Sequence, residues 1–134
     1  MGKYGKSEWP VTEGPTVLKY KKLYYLFYSA NDFRNIDYAV GYAVSDNPLG
    51  PWKKFSGNPI LNRKNVNING PGHGDFTKNI KGDLYYVFHT HSSGGKVTPR
   101  KTAIVKAAFR DSGSESQVMT IDSASFRYLY IKEK

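Results

Sequence analysis

Two short segments set an ionisable side chain beside residues that bend the backbone. Glu13 stands just ahead of Gly14-Pro15, and His73 stands between Gly72 and Gly74. Glycine and proline there favour a sharp turn and a close backbone approach. A carboxyl group held in such a place can give a proton to a leaving oxygen, and an imidazole can exchange a proton or ligate a metal. The plain alternative is a solvated carboxylate at Glu13 and a simple turn at Gly70–Gly74. His89 and His91 are two apart on an apolar run, so they share a strand face and could join His73 in a three-histidine zinc site. The first-repeat residues aligned with them, Tyr28 and Ala30, favour packing instead.

The elements around these residues have the period of strands. Leu23–Tyr28 and Leu84–His89 are short aromatic runs. Tyr38–Ser45 alternates, with Tyr38, Val40, Tyr42 and Val44 on one face and Ala39, Gly41 and Ala43 on the other. The small face predicts a close neighbour. Thr102–Phe109 also reads as a strand, and no helix-period segment with caps is present. Asn47–Pro51 and Lys81–Asp83 have turn chemistry.

An internal repeat organises these strands. LYYLFY at position 23 reappears as LYYVFH at position 84, 61 residues on. Each run follows a Gly/Pro-bearing short strand and precedes a loop, an alternating strand and a last short strand. Four strands per repeat is the pattern of a β-propeller blade. The expected layout is a lead-in over 1–12, a first blade over 13–57, a connection over 58–71, a second blade over 72–124, and a terminal aromatic strand with a charged tail over 125–134. Propellers close with four to eight blades. Two blades leave sheet faces open, which predicts a partial domain of a longer parent or self-association that covers those faces.

Composition narrows the function. The chain has 134 residues with a formal charge of +9, 15% aromatics and no cysteine, so a disulfide framework and thiolate chemistry are excluded. No apolar run is long enough for a membrane-spanning helix, and the start MGKYGKSEW lacks the apolar region of a signal peptide. A basic, tyrosine-rich chain suits single-stranded nucleic acid or sugars, since rings stack on bases and on apolar sugar faces. The Lys and Arg residues are scattered rather than striped, and Gly70–Gly74 lacks a phosphate-loop spacing, so nucleic acid is not the expected partner.

Trp9–Pro15 running into Lys21–Ala30 resembles the general-acid segment of glycoside hydrolase family 43. Tyr42–Trp52 is similar to that family's next strand and turn, and Asn58–Leu61 to the lead into its next blade. Gly70–Phe76 followed by Leu84–His91 resembles the last blade, and Pro99–Ile104 the basic strand after it. The resemblance implies an all-β fold, about two blades of a five-bladed propeller. It implies a glycosidase that cleaves arabinose- or xylose-containing polysaccharides with inversion, in an extracellular or periplasmic setting. Such a mechanism needs an acid on the leaving oxygen and an opposing carboxylate that activates water. The acid must also stay protonated near neutral pH, through burial or a nearby negative charge.

By this resemblance Glu13 is the general acid. Arg100 and Tyr28 are candidates for touching the sugar. His73 corresponds to the axial histidine that takes part in a water or calcium cluster, although no cofactor is required. The base and the third carboxylate belong to blades that precede the acid in the family. Asp32, Asp37, Asp46 and Asp75 all follow Glu13, and none is assigned as base. Hydrolysis by this polypeptide alone is therefore not expected. The rival expectation is a carbohydrate-binding module without catalysis, or a propeller completed by association.

Overall fold

The computed structural model describes residues 11–114 and 116–133. The aromatic runs become the second strands of two antiparallel sheets. The first sheet has the order β1 (Thr12–Tyr20), β2 (Leu23–Ala30), β3 (Ala39–Ser45) and β4 (Lys53–Lys54). A four-residue helix, α1 (Arg63–Val66), lies in the connection. The second sheet has the order β5 (Gly72–Lys78), β6 (Leu84–Thr90), β7 (Lys101–Arg110) and β8 (Val118–Tyr128). Each sheet is a meander in chain order, as in a propeller blade.

The residues expected to form an additional terminal strand are instead the second half of β8. A register irregularity between Ile104 and Lys106 lets β8 bend at Asp122–Ser125 and resume pairing, with Arg127 opposite Ile104 and Tyr128 opposite Ala103. Phe126 and Tyr128 then meet edge to face, 5.1 Å between centroids, beside the apolar cluster of the second sheet.

The sheets pack face to face through rings. Tyr25, Phe27 and Tyr42 of the first sheet are fully buried. Phe27 lies 4.6 Å from Phe76, and Tyr25 lies 4.7 Å from Phe109. The second sheet answers with Phe76, Leu84, Ala107 and Met119. Burying a side chain such as Phe27 contributes about 1.5–3 kcal/mol, so this ring layer holds the two blades in register.

The connection closes one side of this layer. Asn62 caps α1 by accepting from the N–H groups of Lys64 and Asn65, while the Asn65 side chain accepts from the Asn62 N–H. Leu61 and Val66 are thereby turned under Val40, Tyr86 and Phe88. The far face of β3 receives the close neighbour its small residues predict. A Cβ on Gly41 would lie 2.9 Å from Asn58 Cγ. The Asn58 amide accepts from the Tyr42 N–H at 3.0 Å, and donates to the Tyr42 carbonyl at 2.8 Å and to the Tyr28 hydroxyl at 3.4 Å.

Candidate active site

The innermost strands β1 and β5 each carry one bulge, and both bulges have the same form. In β1, Gly14 and Pro15 together stand opposite Tyr28, between the pairs Glu13–Ser29 and Thr16–Phe27. In β5, His73 and Gly74 together stand opposite Phe88, between the pairs Gly72–His89 and Asp75–Val87. The first bulge residue is left-handed in both, with φ of 60° at Gly14 and 53° at His73. That is the bulge type whose first position suits glycine. For a histidine it costs on the order of 1–2 kcal/mol, which the surrounding contacts must offset.

These bulges correct the repeat read from the sequence. Glu13 and His73 are neighbours in the shared pattern, not counterparts. The counterpart of His73 is Gly14, and that of Glu13 is Gly72. The second strands align Ser29 with His89 and Phe27 with Val87, a spacing of 60 rather than 61. A slip of one residue exchanges the faces of a strand. This is why Tyr25 and Phe27 point toward the second sheet, while Tyr86 and Phe88 point back toward the first.

The corrected alignment explains how the site is built. A Cβ on Gly72 would sit 2.3 Å from Tyr38 Cε1, so the absence of a side chain there admits the Tyr38 ring. The Tyr38 hydroxyl donates to Glu13 Oε1 at 2.7 Å. A Cβ on Gly14 would sit 3.1 Å from His73 Cγ, so the imidazole lies over that glycine. The His73 N–H donates to Ser29 Oγ at 2.7 Å, and Ser29 is fully buried. Thr16 donates to Asp75 Oδ1 at 2.6 Å, which ties the two inner strands together. Glu13 and His73, both singled out from the sequence, therefore meet at the same end of the two blades.

Burial sets the proton chemistry of the tyrosines. It raises the Tyr38 hydroxyl well above the usual phenol range, and the bond to Glu13 raises it further. Burial likewise raises Tyr86. Both remain neutral donors at any physiological pH. His89 is shifted the other way, first by burial and then by the charges of Arg100 and His73. Its Nδ1 is buried without a partner. A depression of about 550 Å³ lies here, lined by His73, Asp75, Val87, His89 and Thr102 on the second sheet and by Gly14–Thr16 on β1.

Arg100 and Tyr28 occupy different places. Arg100 directly precedes β7 and lies over the Phe33 ring, 4.9 Å from its centroid. The Phe33 carbonyl is 2.8 Å from Nε2 of His91, a buried ring packed against Gly70. The loop after β2 is thus fastened to the second blade beneath Arg100. Tyr28 is not on the Glu13 side of its sheet. It alternates with Ser29 and faces a groove of about 790 Å³ with Ala39, Gly41 and Asn58. Sequence reasoning missed Tyr38 and Ser29 as site residues. Tyr38 was visible only as one member of an alternating strand, and nothing marked Ser29.

The zinc alternative is not assembled. His91 is committed to Phe33, and among the described residues no group of three or more His, Asp or Glu gathers around a point. Calcium takes six to eight oxygen ligands. His73 offers a nitrogen, and the Glu13 carboxylate beside it is engaged by Tyr38. Oxygen ligands for a calcium at His73 would come from water.

The arrangement of two four-stranded meanders, with the same inner bulge recurring in each, is that of two β-propeller blades. Comparison with known proteins gives the family. The model of glycosyl hydrolases family 43 matches residues 2–114, and the chain belongs to that family. It is similar to an endo-1,4-beta-xylanase from Bacteroides thetaiotaomicron, at 42% identity and a TM-score of 0.76, over 84% of this chain and 38% of that one. A thermostable family-43 glycoside hydrolase is 40% identical with a TM-score of 0.75, over 84% of this chain and 36% of that one. A xylan beta-1,4-xylosidase from Bacillus halodurans shares the fold at 24% identity and a TM-score of 0.66, over 83% of this chain and 22% of that one. The chain thus spans well under half the length of these proteins. No curated protein matches it.

Proposed function

We propose that this chain carries the general-acid portion of an inverting glycosidase acting on xylose- or arabinose-containing polysaccharide. Glu13 is the acid, and His73 and Arg100 line the same end of the blades. The observation that carries the reading is the placement of Glu13. It sits at the residue before the inner-strand bulge, half-buried, with one carboxyl oxygen held by Tyr38 at 2.7 Å. The xylanase and xylosidase among the similar structures support a xylan-type substrate. Inverting hydrolysis needs a second carboxylate roughly 6.5–9.5 Å from the acid. Neither blade assigns one, so we infer that a complete site requires further blades.

The test is hydrolysis of 4-nitrophenyl β-D-xyloside and α-L-arabinofuranoside by the chain and by its Glu13→Gln variant. The expected result is no turnover by either. Turnover that Glu13→Gln abolishes would mean that the chain holds, or assembles, a base of its own. Turnover that survives the substitution would remove Glu13 as the acid.

A second reading is favoured by the open sheet faces. Tyr24, Leu26 and Tyr28 line one, and Tyr85, Val87 and His89 line the other; all six are half-buried. Such faces suit a propeller completed by association, or a module that binds sugar without cleaving it. Light scattering after size exclusion would distinguish an assembly from a monomer. Titration with xylo-oligosaccharides would detect binding without turnover.

A further inference from the structure

Arg100 is a cation held in place with its hydrogen-bonding capacity unspent. It is half-buried and directly precedes β7, and among the described residues its guanidinium has no hydrogen bond and no ion pair. It rests instead on the Phe33 ring, 4.9 Å from the centroid. A ring face attracts a cation through its quadrupole. It takes up none of the N–H donors along the guanidinium edge. A carboxylate in the same place would also hold the side chain, but would accept two of those donors. The neighbouring Arg34 shows the contrast. It too lies over Phe33, at 5.7 Å, but its Nε and Nη2 donate to Asp32 at 2.8 Å each.

The ring is itself fixed by the second blade. The Phe33 carbonyl can only accept, so His91 Nε2, 2.8 Å away, carries the proton and donates to it. The imidazole is 2% exposed, and a Cβ on Gly70 would lie 2.2 Å from its Nε2. The Gly70 N–H donates to the Ile36 carbonyl at 3.0 Å, a second tie to the same loop. Within the loop, the Asn35 N–H donates to the Asp32 carbonyl at 2.8 Å, and the Asn31 amide donates to the Asp37 carbonyl at 2.7 Å. Lys101 pairs with Thr90 and Gly72 with His89, so Arg100 stands at the end of the second blade where the His73 bulge lies.

We propose that Phe33 is a positioning residue for Arg100. The ring holds the guanidinium by its face and leaves the N–H edge to donate to neighbouring hydroxyls of a sugar. The loop after β2 in the first blade thereby orients a sugar-binding group of the second. This inference rests on the reading of Arg100 as a sugar contact. Its test reads the placement of the side chain and neither hydrolysis nor binding, so the two can fail separately.

The test is NMR of the labelled chain, read at the Arg100 Nε–Hε group, which Arg100→Lys assigns by its disappearance. The ring is expected to displace the Hε resonance upfield. Phe33→Leu, which keeps apolar bulk without the ring, is expected to abolish that displacement and to speed Hε exchange with solvent several-fold, with the backbone amides of β7 in place. Phe33→Tyr, which keeps the ring, is expected to preserve both properties. An Hε resonance unmoved by Phe33→Leu would overturn the proposal, and so would one that moves only together with the β7 amides. If Phe33→Leu does not fold, Phe33→Met takes its place, with the same outcomes for and against.

Discussion

A methyl group at position 72 has no space. The Cβ of Gly72→Ala would lie 2.3 Å from Cε1 and 2.5 Å from Cδ1 of Tyr38. Neither side can yield easily. Gly72 pairs with His89 in the sheet, and Tyr38 is 1% exposed with its hydroxyl bonded to Glu13. Overpacking a core position costs about 1–3 kcal/mol. Pushing the ring aside also severs a hydrogen bond to a carboxylate, at about 1.5–3 kcal/mol. Gly72→Ala should therefore destabilise the fold by about 3–5 kcal/mol. Urea unfolding followed by circular dichroism measures this, and with a slope of about 1–3 kcal/mol per molar the midpoint should fall by roughly 2 M. Gly94→Ala is the control, because nothing lies within 4 Å of its Cβ, and its cost should stay within about 0.5 kcal/mol. In a Tyr38→Ala background the penalty of Gly72→Ala should largely vanish, which a double-mutant cycle reads directly. A Gly72→Ala protein within 1 kcal/mol of wild type, as an order-of-magnitude threshold, would refute the claim that this glycine exists to admit Tyr38.

Two further outcomes follow from the packing and the charges. Asn58→Ala leaves the Tyr42 N–H and carbonyl without the side-chain partner they have at 3.0 and 2.8 Å, and should cost about 2–4 kcal/mol in urea unfolding; a smaller loss than Gly41→Ala would still fit, but no loss would not. His89 is held neutral by burial and by Arg100 and His73, so its folded pKa lies below its unfolded one. The unfolded chain then takes up the proton first as pH falls. Its contribution to stability is complete above about pH 6.5 and is lost as the pH drops toward the folded value. Comparing urea midpoints at about pH 7 and pH 5, His89→Gln should lose less stability on acidification than wild type does; equal losses would count against a neutral buried ring.

The all-β character and the two-blade organisation were legible because strand period and turn chemistry survive in each run, from Leu23–Tyr28 to Thr102–Phe109. The close neighbour of Ala39, Gly41 and Ala43 was legible for the same reason, although nothing in the sequence named it as Asn58. The terminal aromatics were not legible as part of β8, because the irregularity that joins Val118–Asp122 to Phe126–Tyr128 leaves no mark in residue types. Glu13 and His73 were found through glycine and proline. Ser29 and Tyr38 were not, since their roles come from register across strands. Register depends on where a bulge falls, and two aromatic runs of similar letters hid a shift of one.

That shift decides how the site is made. Had the repeat been a simple copy, Glu13 and His73 would occupy one equivalent position in each blade, each needing the same space. Instead the blades present the same bulge with adjacent positions filled. The first blade has Glu13 before the bulge and glycine within it. The second has glycine before the bulge and histidine within it. Gly72 makes room for Tyr38, which holds Glu13, and Gly14 makes room for the His73 ring. Each blade gives up a side chain where a neighbouring ring must enter. Glu13 and His73 can therefore share one end of the blades because their positions are not equivalent.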